Sequence, residues 1–400
     1  MNKTTPLHTN DLSPIWSAVW AMSLCAMVLV ASEFMPVSLL TPIAFDLHMS
    51  EGHAGQSISI SGFFALITSL WLTSLIGHRD RRAVLLFFTV LMGISGIIVA
   101  FAPNALMLMV GRALLGVCIG GFWSMSAATI MRLVPKKSVP KAIAILNGGN
   151  ALSTTIAAPL GSFLGGIIGW RGAFFCIVPL ALISFMWLYK SVPSLPSQRL
   201  SKHRATIGNV LKLLMQGNVA LGMVSSMLFF MGQFALFTYL RPFLETTTGV
   251  NVEMLSLLLL AMGVSGLLGT FVIGVVLKTR LFSVLIIIPF LMMLIAIALT
   301  FFGTSVVAMF LLLSIWGFLG TAAPVGWWTW LAQTLPHEAE AGGGLMVAII
   351  QLAITLGAAL GGLLFDAYGY TSTFLFSAFI LGLATIMAFV TWFITAKTKD

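Results

Sequence analysis

The chain is predicted to be an all-α membrane protein of twelve transmembrane helices in two pseudo-symmetric six-helix halves. Three observations predict this. The 400 residues are 59% hydrophobic and only 8% charged, with a mean hydropathy of +1.06. A water-facing domain carries roughly 25% charged residues, so this chain lacks the charge to cover a soluble surface. Apolar runs of about 20 residues, the length needed to cross hydrocarbon, recur twelve times. Finally, a single long polar connection falls halfway along the chain. The same composition excludes a disulfide-stapled secreted domain, a disordered chain and an ordinary soluble enzyme.

After a polar tail over residues 1–15, the first span runs from about 16 to 40. It is too long for a signal-peptide core and lacks a small-x-small exit, so it is expected to stay as a helix. Spans follow at about 54–76, 83–102, 105–130, 142–166 and 172–190, parted by charge, Pro or Gly. The segment 191–217 is rich in Ser, Pro and basic residues and reads as a linker. The second half supplies spans at about 218–240, 254–277, 281–302, 306–332, 342–365 and 372–395, and 396–400 form a tail. A shift of 200 residues lays Leu160-Gly161, Gly169, Trp170 and Phe174 over Leu360-Gly361, Gly369, Tyr370 and Phe374. Such a same-sense echo implies halves related by an axis along the membrane normal.

Twelve spans put both termini on one side. Seventeen of the 20 Lys and Arg fall in the loops and ends of that side: Lys3, Arg79, Arg81, Arg82, Arg132, Lys136, Lys137, Lys141, Lys190, Arg199, Lys202, Arg204, Lys212, Lys278, Arg280, Lys397 and Lys399. Only Arg171 and Arg241 fall on the other side, and Arg112 lies within a span. Basic loops resist translocation, so both termini are expected in the cytoplasm. The formal net charge of +9 therefore reflects topology, and no nucleic-acid partner is expected. Cys25, Cys118 and Cys176 lie in apolar runs without CxxC or metal-ligand spacing and read as buried thiols.

Among the eleven acids only Glu33 lies well inside a span, and Arg112 is the matching base. Counted from their span ends, both lie roughly 10 Å below the side opposite the termini. An ionisable group at such depth needs a partner or an aqueous cavity. Glu33 can take up and release a proton with Arg112 as its electrostatic partner, or the two can form a permanent ion pair that pins two helices. Pro36 breaks the helical ladder and leaves free carbonyls near the acid. Gly148, Gly149, Pro159, Gly161, Gly165 and Gly166 are first of all packing residues, and secondarily a rocking interface.

Trp123, Asn147, Asn150, Gln233, Tyr239, Trp328 and Gln351 are the candidate solute contacts, together suiting a neutral, hydrogen-bonding, partly planar solute. Ser124 and Ser126 are further polar groups within the spans. Trp327, Trp328 and Trp330 cannot all face one pocket, because a helix turns about 100° per residue. Arg79, Asp80, Arg81 and Arg82 form either a latch on the terminal side or a topology signal alone. No phosphate-cradling GxxxxGK[ST], HExxH, GxSxG or intramembrane metal cluster is found, so no enzyme, cofactor or metal is expected.

These features together resemble the major facilitator superfamily, almost over the full length. Gly77-His78-Arg79-Asp80-Arg81-Arg82 is similar to the basic turn of its drug:proton antiporter branch, without the second glycine. Arg112, Gly116 and Gly120 match that branch's fourth-span pattern. Ala158-Pro159-Leu160-Gly161 is similar to its fifth-span Gly-Pro motif, with alanine for the usual glycine. Glu33-Phe34-Met35-Pro36-Val37-Ser38-Leu39-Leu40 resembles an element of the sugar and nucleoside efflux permeases. The resemblance implies a monomeric inner-membrane antiporter, driven by the proton gradient, that exports a small neutral solute by alternating access. Purine ribonucleosides lead as cargo, sugars or varied drugs being the alternative. A membrane sensor without turnover is a more distant reading.

Overall fold

The computed structural model describes residues 15–76, 79–196, 212–335 and 338–397. These residues form twelve long helices. They are α1 (Trp16–Asp46), α2 (Glu51–Ile76), α3 (Arg81–Ala100), α4 (Ala105–Leu133), α5 (Val139–Phe175) and α6 (Ile177–Ser191). The second half contains α7 (Gly217–Thr238), α8 (Val252–Leu277), α9 (Thr279–Phe302), α10 (Val306–Thr334), α11 (Ala339–Tyr368) and α12 (Tyr370–Lys397). Three boundaries differ from expectation. α5 runs on to Phe175 past a sharp turn at Gly169 (φ 74°, ψ 164°), where the span was expected to end at about 166. α1 continues to Asp46 through Pro36 and Pro42, because side chains from other helices replace the bonds that proline removes. α8 and α9 form one helical run, broken only at Arg280 (φ −134°, ψ 42°).

The repeat seen in the sequence is structural. Gly169 and Gly369 both adopt a left-handed φ, 74° and 78°, where a Cβ would clash with the backbone. Each sharp turn carries the chain directly into an aromatic pair: Trp170 against Phe174 at 6.3 Å, and Tyr370 against Phe374 at 5.9 Å. The helix starts echo as well. Ser50 and Asn251 receive the first-turn amides of α2 and α8, while Asn104 and Ser305 do so for α4 and α10.

Each half has its own apolar core. One gathers Met22, Leu29, Phe122 and Phe174; the other gathers Phe229, Trp316, Trp330 and Phe374. Within them, small residues set the spacing of the helices. At Gly116 of α4 an added Cβ would lie 2.2 Å from the Ser61 carbonyl oxygen of α2, so the two backbones touch there. α1 is the most enclosed helix, with 72% of its apolar window buried against 33% for Val252–Leu277. It is therefore the helix around which the site is built. Of the linker expected at 191–217, residues 197–211 lie outside the described residues, as do Gly77 and His78.

Gly116→Ala is expected to cost about 1–3 kcal/mol of stability through overpacking, read as a lower melting temperature in detergent. Gly148→Ala is the control: nothing lies within 4 Å of the Cβ it adds, so its melting temperature is expected not to fall and to rise slightly, Ala favouring a helix interior over Gly by about 0.5–1 kcal/mol.

Candidate functional site

α1 contains two prolines, and each removes one amide from the helical ladder. Pro36 cannot donate to Ser32, and Pro42 cannot donate to Ser38, the residues four positions earlier. In a dry interior an unsatisfied carbonyl costs about 1–3 kcal/mol. Both carbonyls are satisfied by arginine. Arg112 of α4, fully buried, donates Nη1 to the Ser32 oxygen at 2.7 Å, Nη2 to the Glu33 oxygen at 2.9 Å and Nε to the Ser57 oxygen of α2 at 3.1 Å. Arg241, on the short helical turn Leu240–Phe243 after α7, donates Nη1 to the Ser38 oxygen.

Glu33 and Arg112 thus meet, but through the backbone of Glu33. The described ion pairs are Arg171 with Asp46 and Arg241 with Glu245, and the Glu33 carboxylate is in neither. The carboxylate instead accepts a hydrogen bond from Nε2 of Gln351 on α11, in the other half, at 3.4 Å. Glu33 is 4% exposed and Gln351 5%. Phe34 stacks on Phe234 of α7 at 5.4 Å, another contact between halves. Nearby acceptors remain open: Oε1 of Gln351, Oγ of Ser57 and Oγ of Ser59 are buried with no hydrogen-bond partner among the described residues, as is Oε1 of Gln233. Buried polar groups of this kind are where a hydrogen-bonding solute or water is accommodated.

The halves are sealed on the face opposite the termini. Asp366 of α11 accepts from the Gly52 amide at 2.9 Å and from the Ser50 hydroxyl at 2.6 Å, so a carboxylate of one half caps the first turn of α2 in the other. Gln56 donates to the Ala359 oxygen at 3.3 Å, and Thr355 to the Ser59 oxygen at 3.3 Å. On the other flank Ser256 of α8 meets Ser162 of α5 at 3.0 Å. A Cβ on Gly263 would lie 2.2 Å from the Thr155 oxygen. Toward the terminal face the helices part: nothing lies within 4 Å of a Cβ placed on Gly148, Gly274 or Gly344, and Asn147 is exposed.

The seven candidate solute contacts separate accordingly. Asn147 is exposed and Asn150 half-buried on the open part of α5; Trp123 is half-buried on α4, its ring edge-on to Phe122 at 5.7 Å. Gln233 is half-buried and donates to the Gly320 oxygen of α10 at 3.4 Å. Trp328 is 41% exposed while Trp327 and Trp330 are buried, so the three indoles do point apart. Gln351 is committed to Glu33. Tyr239 is a seam residue: fully buried, it donates to the Ala358 oxygen of its own half at 2.7 Å, lies 3.5 Å from the Gly52 oxygen of the other half, and stacks on Phe365 at 5.2 Å.

Arg79, Asp80, Arg81 and Arg82 lie on the terminal face, where Arg79 is exposed. Asp80 caps α3 by accepting from the Arg82 amide at 2.9 Å, and it also accepts from the Ser194 hydroxyl at 2.6 Å and the Leu195 amide at 2.7 Å. The Arg81 amide donates to the Leu195 oxygen at 3.2 Å, and Arg82 donates to the Tyr189 oxygen at 2.6 Å. In this arrangement Asp80 and Arg82 hold the end of α6 and the first linker residues of their own half. Partial burial pushes the Asp80 carboxyl up, but the three hydrogen bonds and the Arg82 charge outweigh it and hold the group below the usual carboxylate value. Sequence reasoning did not find Arg241, Asp366, Ser57, Ser59 or the Phe34–Phe234 stack. For Arg241 and Asp366 a signal existed, each being a rare charge beside a span end.

Two six-helix halves sealed on one face, parting on the other, with a buried carboxylate at the seam, have the architecture of a secondary transporter. The chain belongs to the Major Facilitator Superfamily, whose sequence profile matches residues 22–347. It is thus a multi-pass membrane protein of a transporter family. Over 386 residues it is 42% identical to the purine ribonucleoside efflux pump NepI of Escherichia coli O157:H7, covering 96% of this chain and 95% of that one. Over 389 residues it is 55% identical to a Pseudomonas aeruginosa protein named transcription regulatory protein OpdE, covering 97% and 96%. Among solved structures, a bacterial homologue of the human lysosomal transporter Spinster, inward-facing and unoccupied, aligns with a TM-score of 0.79 at 14% identity over 94% of this chain and 96% of that one. A D-xylose-proton symporter aligns at 0.73 and 19% identity over 95% and 98%. These two likenesses concern the fold.

A carboxylate held below its ordinary pKa stabilises its contacts at neutral pH and loses them as pH falls through the lowered value. Exchange protection of the Leu195 amide is therefore expected to persist as pH drops to the ordinary Asp range and to vanish below it. Asp80→Asn is expected to remove that pH dependence, measured by hydrogen exchange of the peptide spanning 192–196.

Proposed function

We propose that this chain is a proton-coupled antiporter that exports a small neutral solute, purine ribonucleosides first, across the bacterial inner membrane by alternating access. The observation that carries this reading is Glu33: a buried carboxylate on the clamped helix of one half that accepts a hydrogen bond from Gln351 of the other. With the termini and their basic loops in the cytoplasm, the sealed face is outward and the parted face inward. The chain acts as a monomer and draws on the proton gradient, with no cofactor.

Glu33 is the proton site. As a carboxylate it is an acceptor only, and Gln351 supplies its donor. Once protonated it becomes a donor itself and no longer requires Gln351. Loss or gain of one proton therefore changes a bond between the halves, which is the differential interaction that a coupled transition requires. Arg112 keeps the Glu33 turn of α1 fixed while its side chain changes state. Trp123, Asn147, Asn150, Gln233, Trp328 and the freed amide of Gln351 are the solute contacts. Amides suit the hydrogen-bonding edge of a purine and indoles suit its faces. The 42% identity to a purine ribonucleoside efflux pump supports this cargo.

One observation favours a second reading, a membrane regulator without turnover: the 55% relative is named as a transcription regulatory protein. Everted vesicles decide between them. With an imposed pH difference, labelled inosine is expected to accumulate, and collapse of that difference is expected to abolish accumulation. Arabinose and a lipophilic cation, added as competitors, are expected not to displace it. Glu33→Gln is expected to bring gradient-driven uptake to the level of vesicles lacking the protein. Absence of gradient-driven uptake by the native chain of inosine, and of labelled arabinose and labelled cation supplied in its place, would favour the regulator.

A further inference from the structure

Both proline-freed carbonyls of α1 accept from arginine, yet the two arginines belong to different bodies. All three acceptors of Arg112 lie on α1 and α2, in its own half, so that clamp survives any rigid movement between halves. Arg241 lies in the second half and its acceptor in the first. Its remaining bonds stay at home: Nε and Nη2 reach Oε1 of Glu245, one turn on, at 2.8 and 2.7 Å. Withdrawal from Ser38 therefore leaves the guanidinium still paired with its carboxylate and strands no buried charge. What it strands is the Ser38 carbonyl, which Pro42 has deprived of its helical donor.

We propose that Arg241 is the releasable donor of the gate on the sealed face: it supplies Ser38 with a hydrogen bond only while that face is closed, and water replaces it when the face opens. This rests on the alternating-access reading given above. Pro42 makes the latch two-sided. With the face closed, α1 depends on the other half for a bond that it cannot make itself; with the face open, the same carbonyl is hydrated. Arg241 is a positioning residue and touches neither the proton site nor the solute contacts.

The test reads the gate directly. Spin labels at Pro103→Cys and Thr304→Cys, in loops of opposite halves on the sealed face, report its opening by electron–electron resonance in a chain whose three native cysteines are replaced by alanine. No solute or pH difference is needed, so failure of the nucleoside assay would remove the proposed cargo without touching this result. Arg241→Gln is expected to raise the ratio of long to short distances about tenfold, the scale of one charge-assisted hydrogen bond. Pro42→Ala restores an amide that can bond Ser38 within α1. In that background Arg241→Gln is expected to shift the ratio about twofold or less. Glu245→Gln is the control for loss of the ion pair alone. An unchanged distribution in Arg241→Gln overturns the proposal. A shift of equal size with and without Pro42 also overturns it, because Arg241 would then act through packing or through Glu245. Variants are compared only as monodisperse protein with native helical content. Should Arg241→Gln misfold, Arg241→Lys, which keeps the charge but loses the fork, is expected to show an intermediate shift, and no shift from it counts against the latch.

Discussion

In the packed interior of a helix bundle a peptide carbonyl with no donor is costly as long as water is kept out, and α1 contains two such carbonyls by sequence. The arrangement around this helix follows from that constraint. A proline in mid-membrane is tolerated only if a neighbour supplies the missing bond, and a neighbour that does so must approach closely and stay in register. Arg112 draws α4 and α2 against the Glu33 turn of α1, and Gly116 permits the approach by leaving α4 bare where it meets α2. The acid is thus set on the turn that Arg112 clamps, while its carboxylate accepts from Gln351 of the other half.

Charge distribution tells a related story. Among the described residues nearly every base lies on the terminal face, and the three that do not, Arg112, Arg171 and Arg241, are each occupied in holding α1. Arg171 binds Asp46 at the end of the helix and lies over the Trp170 ring at 4.3 Å; Arg241 serves Ser38. A base kept on a face from which topology tends to exclude it has a structural task there. Asp366 is the acidic counterpart, capping a helix of the opposite half.

Much of the fold was legible because hydrophobic period and span length are local properties. Span count and halves depend on residues close in sequence, and the repeat aligned Gly169 with Gly369, the two positions at which the chain turns. The site was legible only in part. Ionisable residues in apolar runs are conspicuous, so Glu33 and Arg112 were easily found. Their mode of contact was not, because a backbone carbonyl has no letter of its own; Pro36 four residues after Ser32 was the available sign. The pairing of Glu33 with Gln351 joins residues 318 apart, which no local pattern encodes. Tyr239 was misleading for the converse reason: a polar residue at a span end looks available until its hydroxyl is found buried and bonded to Ala358 and beside Gly52 of the other half. The basic turn at Arg79–Arg82 was legible as a feature, whereas its attachment to Ser194 and Leu195 required the fold.

The contacts between α5 and α8 follow a simple antiparallel march. Gly166 lies by Val252, Ser162 by Ser256 and Thr155 by Gly263, one helix advancing as the other retreats. Continued past the last touching pair, the same march sets Gly148 opposite Thr270 and Ala144 opposite Gly274, and all four are small. The splayed portion is thus already cut to the profile of the joined portion, like the undone teeth of a zip. Under the proposed alternating access, a bulky side chain at any of these four places would act as a doorstop, leaving the mouth ajar without disturbing the shape seen here.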